Sequence, residues 1–307
     1  MARRKKIPLT ISVFEIKPIT IGVQSINLPK DLFSALNKTE KAKERLMPLS
    51  SNGTNKDSDL ISNFTYSQGY LFGSFIRLNA GEVSTVLLAS LDKKTIEINE
   101  IISEAQKGSA GSIHDKVFFC MFGDLMVMTS AWSNRKALET YIDWILKEKA
   151  DQDIQARFVP KKNTAKTIPL KDIQSIKVSD TYLNAKAETK KETFSLTQEI
   201  VKLLFKDVKD LRALEIDDVI KATLTLTINK RELRKNNAAA LDTALRLIDN
   251  DSITITGKNG QTLKGTEYTL RVTRYFEYTA TSYYNEKAIE SEMRIIIKAI
   301  RKNEVVT

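Results

Sequence analysis

The chain has 307 residues, with 48 Lys and Arg against 38 Asp and Glu, one His and one Cys, giving a formal charge of +10. At about 150 residues per domain this length predicts two domains, large enough to fold without a disulfide or a metal. One cysteine excludes a disulfide scaffold, and one His with one Cys excludes a Cys/His zinc site.

No apolar run reaches the roughly 18 residues of a spanning helix. The basic start MARRKKIPLTISVFEIK is interrupted by Glu15 and Lys17 before any small-residue cleavage site. An ordered first strand in a cytoplasmic protein is therefore expected. The basic excess is evenly spread: residues 1–165 carry 23 basic and 18 acidic side chains, residues 166–307 carry 25 and 20. Any polyanion-binding surface has to be assembled by the fold rather than by a tail.

In chain order, LTISVFEI (9–16) alternates as a strand. Residues 32–46 predict a short helix, followed by an exposed loop through MPLSSNGTNKDSD. YLFGSFIRL (70–78) and STVLLASL (84–91) predict a hairpin across Asn79–Glu82. Residues 95–106 fit neither period, and KGSAGS (107–112) predicts a loop. KVFFCMFGDLMVMTS predicts two apolar strands around a Gly123-Asp124 turn. A helix from Ser133 or Asn134 to Lys149 buries Leu138, Tyr141, Ile142 and Ile145 on one face, and residues 154–160 return as a strand.

KKNTAK (161–166) marks the expected boundary between an N-terminal domain, residues 1–165, and a C-terminal domain, residues 166–307. The second domain opens with strand-like 173–189 and short helices near 196–206 and 208–215. It continues with a strand over 219–228, a helix over 231–249 and a hairpin over 251–279 turning at Asn259-Gly260. A last helix runs from about Asn285 to Lys302. The expected fold class is α+β, two domains each with a mostly antiparallel sheet and packed helices.

The densest basic cluster is Lys230, Arg231, Arg234 and Lys235, at a strand-to-helix junction. Cations there oppose the helix dipole, so helix stability does not account for them, although screening by water and salt would make them tolerable. Lys258 and Lys264 flank the next hairpin tip. Arg271 and Arg274 follow, on opposite faces of a regular strand, interleaved with Tyr275, Phe276 and Tyr278. Basic residues among aromatics suit phosphate contact and base stacking; strand aromatics also serve as core and cross-strand partners. In the last helix Lys287, Arg294, Lys298 and Arg301 form a second stripe beside the apolar one, equally compatible with a solvated face.

Catalytic patterns are sparse. Glu15-Ile16-Lys17 has the end of a nuclease metal motif without the preceding acid. Residues 107–112 lack the phosphate-loop spacing. His114 has Asp115 beside it but no identifiable nucleophile, and Cys120 lies in an apolar strand as a core thiol. No catalytic residue, metal, cofactor or small-molecule substrate is expected.

The order of elements in YLFGSFIRL…FFCMFGDLMVMTSAWSNRKALETYIDWILK and in LTLTINKRELRKNN…SITITGKNGQTLKGTEY resembles the RexA phage-exclusion proteins of lambda-type prophages, over about residues 66–302. That resemblance implies a homodimer that binds DNA with little sequence preference and acts with a membrane-protein partner. It also implies an architecture similar to the recombination-associated protein RdgC, a ring around duplex DNA. It carries over only basic character, at Lys230, Arg231, Arg234, Lys235, Lys258 and Lys264. The expected function is non-sequence-specific DNA binding through phosphates, duplex favoured. An abortive-infection nuclease or RNase, and an interaction protein for an acidic partner, stay open as alternatives.

Overall fold

The computed structural model describes residues 5–18, 27–49, 57–78, 90–107, 113–129, 133–163, 168, 172–180, 222–227, 253–264, 267, 269–278 and 285–304. The elements in chain order are β1 (Lys5–Pro18), α1 (Leu28–Asn37), a 3-10 turn (Ala42–Arg45), β2 (Met47–Pro48), β3 (Ser58–Ser67), β4 (Tyr70–Leu78), α2 (Ile98–Lys107), β5 (Ile113–Phe122), β6 (Leu125–Thr129), α3 (Ser133–Ala150), β7 (Ala156–Pro160), β8 (Ile173–Asp180), β9 (Ala222–Thr227), β10 (Ile253–Gly257), β11 (Thr262–Lys264), β12 (Arg271–Tyr278) and α4 (Glu286–Arg301). The fold is α+β. It divides into two units: Met1–Phe158 together with Arg271–Thr307, and Val159–Leu270.

The first unit is built on a sheet of order β12-β1-β6-β5-β4-β3-β2, with β7 also paired to β1. The length of β1 allows this. Its first half pairs antiparallel with β12, from Lys5 opposite Tyr278 to Ser12 opposite Arg271, and its second half pairs with β6. Alternation along the strands sends side chains to two faces. On one face Phe14, Phe75, Phe119 and Met128 meet Leu32, Leu36, Leu138 and Tyr141 of α1 and α3. On the other, α4 packs over β5 and β6 and buries Ile289, Met293, Ile296, Ile297 and Ile300. Gly73 in β4 has a steric reason to be glycine, because a Cβ there would sit 2.5 Å from Cζ of Phe119.

Three polar devices are buried in this unit. Arg45 is fully buried; it donates from Nε to the Ile61 carbonyl (2.8 Å), from Nη1 to Thr39 Oγ1 (3.1 Å), and from Nη2 to the Ser62 and Lys94 carbonyls (3.2 and 2.5 Å). Its own carbonyl accepts the Tyr141 hydroxyl at 2.8 Å. Burial pulls its pKa down to about 10, so it stays charged at neutral pH. Glu286, in the first turn of α4, accepts from Asn63 Nδ2 (2.9 Å), Ser74 Oγ (3.1 Å) and the Ile98 amide at the start of α2 (2.6 Å). Finally, side chains of α3 bond the backbone of β7. Glu139 accepts from the Phe158 amide (2.6 Å), Arg135 donates to the Phe158 carbonyl (2.8 Å), and Asp143 accepts from the Ala156 amide (3.4 Å).

Several elements differ from the sequence reading. The helix expected over 32–46 starts at Leu28 and stops at Asn37, and a 3-10 turn replaces its second half. Part of the expected loop is β3, which pairs with β4 through the Gln68-Gly69 turn, both residues at positive φ. The other partner of β4 is β5; residues 79–89, half of the expected hairpin, lie outside the described residues. The ambiguous 95–106 segment is helical from Ile98. The expected boundary at 165/166 falls at 158/159, and a second boundary at 270/271 returns β12 and α4 to the first unit. The physical reason is the eight-residue ladder between β12 and β1. Among the described residues no helix is long and apolar enough to cross a membrane.

Candidate nucleic-acid interface

The second unit carries a four-stranded antiparallel sheet of order β11-β10-β8-β9. Its sequence alternates with period two, so each strand separates apolar from polar positions. Ile255 sits opposite Leu263 in the ladder, and both are buried. The intervening positions are hydroxyls and lysines. Thr254 registers opposite Lys264 on one side and Lys177 on the other, and Lys177 opposite Thr225 of β9. One row therefore runs across all four strands. The next row is Thr262, Thr256, Ser175 and Thr227.

Lys177, Thr262 and Lys264 are exposed, and Thr254, Thr256 and Ser175 are half-buried between them. Adjacent strands lie about 4.8 Å apart, so the two lysines flank Thr254 with their backbones about 10 Å from one another. Neither lysine has a carboxylate within ion-pair distance among the described residues. Glu267 is engaged by the Lys264 amide (3.0 Å). A bulge opposite Gly257 inserts Gln174 into β8 and turns Ile173 into the core, although it has the same parity as Ser175 and Lys177. Among the described residues the face thus has two cations without a carboxylate partner, set within a field of hydroxyl donors. It bears no described aromatic ring. That set can hold phosphate oxygens and offers nothing to stack on a base.

The expected site residues are distributed as follows. Lys230, Arg231, Arg234 and Lys235 lie outside the described residues. Lys258 is exposed at the β10–β11 tip and pairs with Asp172 (3.4 Å), an ion pair of little energetic weight at such exposure. Lys264 belongs to the row above. Arg271 and Arg274 are not part of that hairpin; they sit in β12 of the first unit, opposite Ser12 and Leu9. Arg274 Nε donates to Glu292 of α4 at 2.6 Å, half-buried, so it ties a strand to a helix. Tyr275 is 67% exposed on the same strand.

The other singled-out residues are placed as follows. Glu15 and Lys17 pair with each other at 3.4 Å across the buried Ile16. His114 is the second residue of β5 rather than lying in a loop. Cys120 is buried, and burial pushes its thiol up to about 12. Among the described residues no three His, Cys, Asp or Glu side chains gather where they could hold a metal.

Lys177 was missed in the sequence because its row is visible only once β8, β10 and β11 are in register. The available signal was the alternation itself: SIKVS and ITITGKNGQTLK both place hydroxyls and lysines at every second position. No family model, curated protein or solved structure matches this chain.

Proposed function

We propose that this chain is a nucleic-acid-binding protein that holds the phosphate backbone with little regard to base sequence. The observation that carries the reading is the Lys177–Thr254–Lys264 row on an exposed sheet face. The net charge of +10 supplies the long-range attraction. Lysines without carboxylate partners displace condensed counterions, which makes affinity fall with salt at a log-log slope of about −0.9 per phosphate contacted. Hydroxyls add short directional bonds to phosphate oxygens. A face without aromatic rings among its described residues favours a duplex, which carries a charge about every 1.7 Å, over a single strand read by stacking. The resemblance to RexA-type proteins extends the proposal to a homodimer acting in the cytoplasm during phage exclusion.

The test is a salt titration of a labelled duplex of about 40 base pairs with the full chain and with Lys177→Ala/Lys264→Ala. The expected result is salt-steep, sequence-indifferent binding, with a slope about 1.8 shallower in the double variant. Equal slopes for the two proteins would remove this face from the reading. Absence of wild-type binding at about 50 mM salt would overturn the function.

A further inference from the structure

The described carboxylates of α4 and of the turn that follows it are committed within the fold. Glu286 is bonded by Asn63, Ser74 and the Ile98 amide; Glu290 by Arg294 (2.5 Å) and Thr65 (3.1 Å); Glu292 by Arg274; Glu304 by Lys302 (3.6 Å). The cations are not all matched. Lys287, Lys298 and Arg301 are exposed, and none has a carboxylate within ion-pair distance among the described residues. At 100° per residue they fall within a strip about 60° wide, extending about 21 Å along the helix axis.

Helix electrostatics accounts for only part of this strip. Lys298 and Arg301 lie in the last turns, where cations are favoured, but Lys287 lies in the first turn, against the dipole. Arg301 is also pre-ordered. Its guanidinium stacks 4.5 Å over the ring of Phe122, which in turn packs 4.3 Å from Tyr70, and Arg294 covers Tyr70 at 5.1 Å. The ring contact restrains Arg301 while leaving its five N–H donors without a carboxylate among the described residues, the form in which arginine grips a phosphate with low ordering cost.

We propose that the outward face of α4 is a second phosphate-contacting surface, through Lys287, Lys298 and Arg301, for duplex nucleic acid. This rests on the nucleic-acid reading but uses a different unit and different residues. The salt titration is repeated with Lys287→Gln/Lys298→Gln/Arg301→Gln in the full chain. The expected slope is about 2.7 shallower than wild type, with affinity lower by several hundredfold at about 0.1 M salt. The urea midpoint of the triple variant should fall only slightly, through loss of the Arg301–Phe122 contact; the single Lys287→Glu variant gives a second reading free of Phe122. An unchanged slope in both variants, with wild type still binding and the Lys177/Lys264 variant still impaired, overturns the second surface and leaves the function standing. Loss of binding to an acidic peptide without loss of duplex binding assigns the strip to a protein partner and also overturns it. No binding by wild type overturns both.

Discussion

Replacing Arg45 by Met tests whether a buried cation that donates to backbone carbonyls holds the first unit together. Methionine has similar reach and can occupy the space beside Phe64, over whose ring the guanidinium lies at 5.1 Å. The loss is then mainly polar. Ser62 keeps the Ile96 amide on its carbonyl at 2.9 Å, so the Ile61 and Lys94 carbonyls are the acceptors most exposed to the change. Each buried orphan costs about 1–3 kcal/mol, and the relieved desolvation of the guanidinium offsets part of the sum. The net expectation is about 3 kcal/mol, more than a hundredfold in the folded-to-unfolded ratio. Both tryptophans, Trp132 and Trp144, belong to the first unit, so tryptophan fluorescence in urea follows this unit selectively. Arg45→Lys, which keeps a donor for one or two carbonyls, should lose less. A loss below about 1 kcal/mol for Arg45→Met would refute the reasoning, because the carbonyls would then find other donors unaided.

Two further outcomes concern the same unit. Gly73→Ala drives a methyl into the Phe119 ring and should cost about 2 kcal/mol; adding Phe119→Leu should return at least about 1 kcal/mol of coupling in a double-mutant cycle. Burial holds the carboxyls of Glu286, Glu139 and Asp143 above the usual range. At these three carboxyls the folded state therefore binds more protons than the unfolded chain above about pH 4, and their contribution to stability falls as pH rises through the folded-state values. Glu286→Gln should make that decline shallower in urea midpoints between about pH 4.5 and 8, and an identical decline would contradict the assignment.

The strands flanking Gly123-Asp124, helix α3 and helix α4 were legible because each carries its own period and its own stop signal. β3 was not. SDLISNFTYS follows a polar, Gly- and Pro-containing stretch, and its apolar positions change parity at the irregular register between Ile61 and Asn63, so alternation is broken where a reader would seek it. The split at 270/271 was invisible for a different reason. RVTRYFEY is a plausible hairpin partner for ITITG, and only the long-range ladder with β1 decides otherwise. In the sequence Arg274 is simply a basic residue among aromatics; its hydrogen-bond partner Glu292 lies 18 residues on and is brought near by α4. Lys264 stands out in the sequence by its place beside a turn, whereas its register with Thr254 and Lys177 appears only once three strands are paired.

The bonds between α3 and β7 have a geometric consequence. Helix side chains four apart advance about 6.0 Å, while alternate residues of a strand advance about 6.7 Å. The two rulers slip by about 0.7 Å per step, close to the observed lengthening from 2.6 Å at Glu139 to 3.4 Å at Asp143. A helix can thus stand in for a neighbouring strand over one repeat and falls out of phase by the next. Such a splint must be short, and it closes that stretch of β7 to pairing with another chain. Growth of the sheet by strand addition, in an assembly or in misfolding, is thereby directed away from it.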